Sequence, residues 1–229
     1  MLLRWSLFIG SSLCFAVAAS AGPIVYDVTV NTSSITGTPG SLDFNFNPGP
    51  SATQFASLQI LNFAADGSLA ACAANVQGFC ATGDVSGQLP AAVTFDNGTA
   101  FNDYFDDFTF GTAISFNVSL YGPALTSPDG VSTSGSAFAF SMFSDAAGTV
   151  PALTSDTTDG FAFTVDVNLD GTTTVSNFSS QTAVVPETGG VPEPSTFFLL
   201  GTALALGALR FRWRWWRVGC RVSVVAAAL

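Results

Sequence analysis

From Gly22 onward the chain alternates apolar and polar side chains with a period of two. Ile24, Tyr26, Val28 and Val30 alternate with Val25, Asp27 and Thr29, and Leu42, Phe44 and Phe46 alternate with Asp43 and Asn45 up to Pro48-Gly49-Pro50. Leu58 and Ile60 give way to Leu61 and Phe63, a phase slip that predicts a β-bulge before the turn at Asp66-Gly67. Val93 and Phe95 precede a second turn at Asp96-Asn97-Gly98. Ile114, Phe116, Val118 and Leu120 alternate strictly with Ser115, Asn117 and Ser119. Phe138, Phe140 and Met142 repeat the pattern, as do Phe161, Phe163, Val165, Val167 and Leu169. Asp170-Gly171 then reads as a hairpin turn into Thr172–Phe178. One apolar face and one face of Ser, Thr, Asn and Asp describe strands packed on one side and wet on the other. Helical periodicity is absent from this region.

About eight to ten such strands predict an all-β fold, a two-sheet antiparallel β-sandwich with a jelly-roll-like arrangement. Phenylalanine, 22 in the whole chain, supplies its core volume. No repeat of fixed period points to a solenoid. The segment 182–190, TAVVPETGG, reads as a linker.

The two ends are of another kind. Met1–Ala21 has a positive start at Arg4, an apolar run Leu7–Ala19 and an Ala19-Ser20-Ala21 cleavage pattern, the layout of a secretory signal peptide. At the other end Phe197–Leu209 is uncharged and is followed by Arg210, Arg212, Arg214 and Arg217. Counted from Ser195 to Phe211 with snorkelling arginines, it reaches the lower limit of about 17 residues for a membrane helix. The arginines place the following residues in the cytoplasm, and Trp213, Trp215 and Trp216 suit the headgroup zone. The expected organisation is a signal peptide (1–21), an acidic sandwich (22–181), a linker (182–190), a short motif (191–196), a transmembrane helix (197–211) and a basic and apolar cytoplasmic tail (212–229).

Val191-Pro192-Glu193-Pro194-Ser195-Thr196, then a short apolar helix, then arginines, resembles the bacterial PEP-CTERM sorting signal, also labelled an ice-binding protein C-terminal domain. That resemblance implies recognition of Val191, Pro192, Glu193 and Pro194 by an exosortase, a membrane-embedded cysteine transpeptidase, in a Gram-negative bacterium that makes extracellular polysaccharide. It implies a precursor anchored in the inner membrane and a product at the cell surface or in the extracellular matrix. The family usually ends soon after its basic cluster, whereas Val218–Leu229 continues here. The segments SLDFNFNPGP, ASLQILNFAADGSL, GDVSGQLP, NDYFDDFTFGTAISFNVSLYG and LDGTTTV resemble a subgroup of PEP-CTERM proteins with a shared domain and no activity attached to it.

The formal charge of −10 conceals a segregation: between Trp5 and Leu209 there is no Lys, Arg or His. Such a domain forms no internal salt bridge and repels phosphate backbones, which excludes nucleic-acid binding. Its carboxylates must be solvated, capped by turn N–H groups or bound to cations. Cys14 leaves with the signal peptide and Cys220 lies in the tail, so Cys72 and Cys80 remain. Export favours a disulfide between them; a metal or redox pair is the rival, disfavoured because the spacing is not CxxC and no His exists.

Nucleophilic catalysis wants a base beside the nucleophile, and the mature domain has neither His nor Lys. A carboxylate pair would serve a glycoside hydrolase, with Asp103, Asp106 and Asp107, or Asp156 and Asp159, as the local clusters. Acidic pairs in turns are more often capping residues. Calcium is the better functional reading of Asn102, Asp103, Asp106 and Asp107, being hard, oxygen-loving and extracellular, although the spacing fits no EF-hand. Tyr104 and Tyr121 are the aromatic candidates for stacking on sugars. The sequons at Asn31, Asn97, Asn117 and Asn177 carry little weight in a bacterium. Thr172-Thr173-Thr174 splits between two faces, so no ice-binding array is expected. The leading expectation is a non-enzymatic exported surface or matrix protein that needs no cofactor. A calcium-assisted polysaccharide-binding module is second, and a carboxylate-only hydrolase third.

Overall fold

The computed structural model describes residues 22–70, 72 and 80–187. In chain order the strands are β1 (Ile24–Asn31), β2 (Pro39–Pro48), β3 (Ser57–Ala65), β4 (Ser68–Leu69), β5 (Ala81–Thr82), β6 (Val85–Gly87) and β7 (Val93–Asp96). They continue as β8 (Asp103–Thr109), β9 (Ala113–Tyr121), β10 (Ser136–Phe143), β11 (Phe161–Val167), β12 (Thr173–Asn177) and β13 (Thr182–Pro186). A single-turn helix, Pro123–Thr126, follows β9.

The strands form two antiparallel sheets, ordered β13-β1-β9-β3-β7-β6 and β12-β11-β10-β2-β8-β4, with β5 also on β8. Because β1 pairs with β9, β2 with β8 and β3 with β7, the pairs nest from the outside inward. That wrapped connectivity is the one from which a jelly roll is built. Strands β10–β12 widen the second sheet, and β13 widens the first.

The period-two pattern explains the layering. Leu42, Phe44 and Phe46 of β2 are fully buried while Asp43 and Asn45 between them face outward. Phe116 of the first sheet joins the layers, its ring lying 5.4 Å from Phe44, 5.1 Å from Phe140 and 6.5 Å from Phe163. Aromatic edges meeting aromatic faces supply the core volume that shorter aliphatics would leave empty. The slip at Leu61 is a bulge: the β3–β9 register shifts between Leu61 and Ala64, and Asn62 takes φ 53°.

The structure corrects the sequence reading at several points. The expected linker begins as strand β13, which pairs with β1 from Tyr26↔Pro186 to Val30↔Thr182. Thr182 is buried and Val184 packs against the core, so TAVVP continues the alternation over too few residues to announce itself. Leu169 lies in the β11–β12 turn and is 52 % exposed. Phe161 is only half buried, because a bulge between Phe140 and Ser141 shifts the phase of β11. The additional strands are short pieces, β4, β5 and β6, too brief to show a period.

Candidate functional site

Strand β8 sorts the carboxylates expected to hold calcium. Its side chains alternate, with Tyr104, Asp106 and Phe108 buried, Asp103 half-buried and Asp107 exposed. Asp106 and Asp107 are neighbours on one strand and therefore point to opposite faces. Asp103, Asp106 and Asp107 thus do not converge. Asn102 is occupied as well: its Oδ1 accepts the Asp84 amide at 2.8 Å, and its Nδ2 donates to the carbonyls of Phe46 and Thr99 at 3.0 and 2.9 Å.

The fold gathers a different group of oxygens. Asn45 of β2 stands opposite Asp103 of β8, and Asp43 lies two residues before Asn45 on the same outward face. Asn45 Nδ2 donates to Asp43 Oδ1 at 2.6 Å. Burial, and then the hydrogen-bonded carboxyl of Asp103, push Asp43 up to about 9. Burial also raises Asp103. Burial thus favours the protonated form of Asp43, from which its carboxyl can donate to Asp103. Two acceptors here, Asn45 Oδ1 and Asp103 Oδ1, are shielded from solvent and have no hydrogen-bond partner. With no basic side chain in the domain, only a proton or a metal cation can neutralise these carboxyls. The donor set is all oxygen, which fits a hard cation such as calcium or magnesium.

On the inner face of β8 lies the second group. Cys72 and Cys80 form a disulfide with Cα atoms 5.9 Å apart. Asp106 is 2 % exposed, and burial pushes its carboxyl up to about 6. The Leu89 amide donates to the Tyr104 hydroxyl at 3.1 Å, which in turn donates to Asp106 Oδ2 at 3.2 Å. Burial first, then the neighbouring Asp106, raises Tyr104. Asp106 Oδ1 has no partner. Tyr104 is thus a buried polar residue, unavailable for stacking on a sugar, while Tyr121 is half-buried at the end of β9.

Several loop carboxylates accept hydrogen bonds from loop amides and hydroxyls. Asp156 accepts the amides of Thr158, Asp159 and Phe161 at 3.1–3.2 Å, and these hold its carboxyl below the usual range. Asp66, Asp145 and Asp170 are lowered first by the hydroxyls of Thr112, Thr149 and Thr172 and then by backbone amides, and Asp129 is lowered by the amides of Ser132 and Val131. Asn97 is a buried tie, accepting the Ala56 amide at 3.0 Å and donating to the Gln54 carbonyl and Ser136 Oγ at 2.8 Å.

Sequence reasoning missed Asp43 and Asn45. Their outward phase is readable in LDFNF, but their approach to Asp103 depends on the β2–β8 register, which a sequence does not display.

The expected signal peptide, the sorting motif and the expected membrane helix fall outside the described residues. Among the described residues no helix is long and apolar enough to cross a membrane. No curated protein and no solved structure shows significant similarity to the chain. Residues 190–214 match the PEP-CTERM protein-sorting motif. The match spans Val191, Pro192, Glu193 and Pro194, the apolar stretch, and Arg210, Arg212 and Arg214, with Arg217 beyond it. The tripartite order read from the sequence thus carries, over residues 190–214, a PEP-CTERM protein-sorting motif that follows an acidic β-sandwich.

Proposed function

We propose that this protein is a non-enzymatic component of the cell surface or extracellular matrix of a Gram-negative bacterium. Its precursor is held in the inner membrane by the apolar segment 197–211, and its sandwich is released to the outside by exosortase processing. The sorting motif at residues 190–214 is the observation that carries this reading. A domain without one Lys, Arg or His supports it, since most nucleophilic and phosphoryl chemistry draws on those groups.

The carboxyl pair on the outer face of the second sheet favours a second reading, a calcium-assisted polysaccharide-binding module. Asp43, Asn45 and Asp103 would ligate the cation and so replace the set expected from sequence. A glycoside hydrolase is the poorer match, because those enzymes hold their carboxyls about 5 Å or more apart, whereas Asp43 and Asp103 are in hydrogen-bond contact.

The test is retention of the mature protein on its own cell's extracellular polysaccharide, with calcium and with chelator. Retention that chelation abolishes makes the protein a calcium-dependent matrix-binding module. No retention in either condition, with no sugar released, leaves the structural role. Release of soluble sugar would overturn the non-enzymatic reading.

A further inference from the structure

Asp106 buries an uncompensated carboxylate beside a pair of cysteines, a costly arrangement that a disulfide alone does not require. Its side chain is 2 % exposed, its Oδ1 has no partner, and no basic residue lies in the domain to neutralise it. One oxygen of its carboxylate and both sulfurs lie within 4.8 Å of one another. Cys72 Sγ is 3.5 Å from Asp106 Oδ2. For a tetrahedral ion with metal–sulfur and metal–oxygen bonds of about 2.3 and 2.0 Å, the sulfur–oxygen edge is also about 3.5 Å. On reduction the sulfurs have to part to about 3.8 Å, the sulfur–sulfur edge of the same tetrahedron, and Cys80 Sγ has to reach the same sulfur–oxygen edge from within 4.8 Å of the carboxylate.

We propose that the reduced form of Cys72 and Cys80, together with Asp106, is a binding site for a borderline-soft divalent cation such as zinc, and that the disulfide is its closed state.

Two thiolates and one carboxylate are three of the four ligands such an ion takes, and water completes the set. The sequence offered only two of the three, since Asp106 lies far along the chain and arrives through the pairing of β8 with β4 and β5. Strand β4 ends just before Cys72, and β5 begins directly after Cys80. The relay from the Leu89 amide through the Tyr104 hydroxyl fixes Asp106 Oδ2, as outer-shell hydrogen bonds orient metal-binding carboxylates elsewhere. Opening the site consumes two electrons and two protons, supplied by a dithiol that becomes its own cyclic disulfide. Metal binding then releases the two thiol protons, and the thiolates stay on the ion.

The experiment uses the exported protein isolated from its cells, reduced with a dithiol, freed of reductant under anaerobic conditions and titrated with cobalt(II) as a spectroscopic stand-in for zinc. The expected result is thiolate-to-cobalt charge-transfer absorption, with visible bands of tetrahedral cobalt, saturating at one equivalent and bleached by zinc. Asp106→Asn should weaken binding at least tenfold. A second readout needs no variant: zinc should protect both thiols of the reduced protein from alkylation, and the oxidised protein should bind neither metal. Absence of the charge-transfer band, alkylation at the same rate with and without zinc, or unchanged affinity in a folded Asp106→Asn variant would each overturn the proposal.

Discussion

Replacing Asp43 with Asn removes the proton that the Asp43–Asp103 contact forces the folded chain to keep. An unfolded Asp releases its proton near 3.8, whereas in the fold Asp43 is pushed up to about 9. Between those values the folded state binds more protons than the unfolded one, so stability falls as pH rises through the window. Each pH unit costs about 1.4 kcal/mol, which accumulates to about 4 kcal/mol by pH 7. An Asn at this position stays neutral and still donates to Asp103. In chelator at about pH 7, Asp43→Asn should therefore raise Tm by about 10 °C, since 1 kcal/mol moves a domain of this size by about 2–4 °C. The wild-type Tm should fall further between about pH 7 and 9, a range without histidine titration, and the variant's should stay flat. Calcium should restore the wild type by replacing the proton and leave the variant unmoved. Differential scanning calorimetry in calcium and in chelator reads all three effects. A Tm for Asp43→Asn at or below that of the wild type in chelator, with no wild-type slope between pH 7 and 9, would mean that the fold does not hold a proton on Asp43.

Further consequences concern the core and the cross-link. Phe44 is fully buried among the rings of Tyr104, Phe116 and Phe140, so Phe44→Ala should cost about 3–5 kcal/mol in urea unfolding. A Cβ at Gly135 would stand 1.8 Å from the Val167 carbonyl oxygen, so Gly135→Ala should destabilise by about 1–3 kcal/mol as β10 shifts against β11. The Cys72–Cys80 loop is short, and the Cys72→Ala/Cys80→Ala double variant should lose about 2–3 kcal/mol. In the non-reduced mature protein neither thiol should alkylate, as mass spectrometry of the labelled protein would record.

Strand identity was legible wherever a run of five or more alternating residues carried large apolar side chains. LDFNFN and AISFNVSLY announce their faces because Phe and Leu cannot be left in water without cost. The alternation misleads at its ends: Leu169 keeps the phase of Val165 and Val167, yet the chain has already entered the Asp170-Gly171 turn. Thr182–Pro186 went unread for the opposite reason, its two inward residues being too few to outweigh Pro186 and the glycines that follow. In NDYFDDF the inward phase was partly visible, because Asp106 shares it with Tyr104 and Phe108. What hid the candidate sites was register. Asp43 meets Asp103, and Asp106 meets Cys72, only after distant strands have paired, and a period of two says nothing about which strand lies beside which.

A working sorting signal at residues 190–214 leaves its mark on the mass of the mature protein. Intact-mass analysis of the native protein from cells with an active exosortase, and from cells lacking it, reads that mark. Active cells should yield a product without Arg210, Arg212, Arg214 and Arg217, and cells lacking the enzyme should retain them in the membrane fraction. The same arginine cluster still attached in both would contradict it.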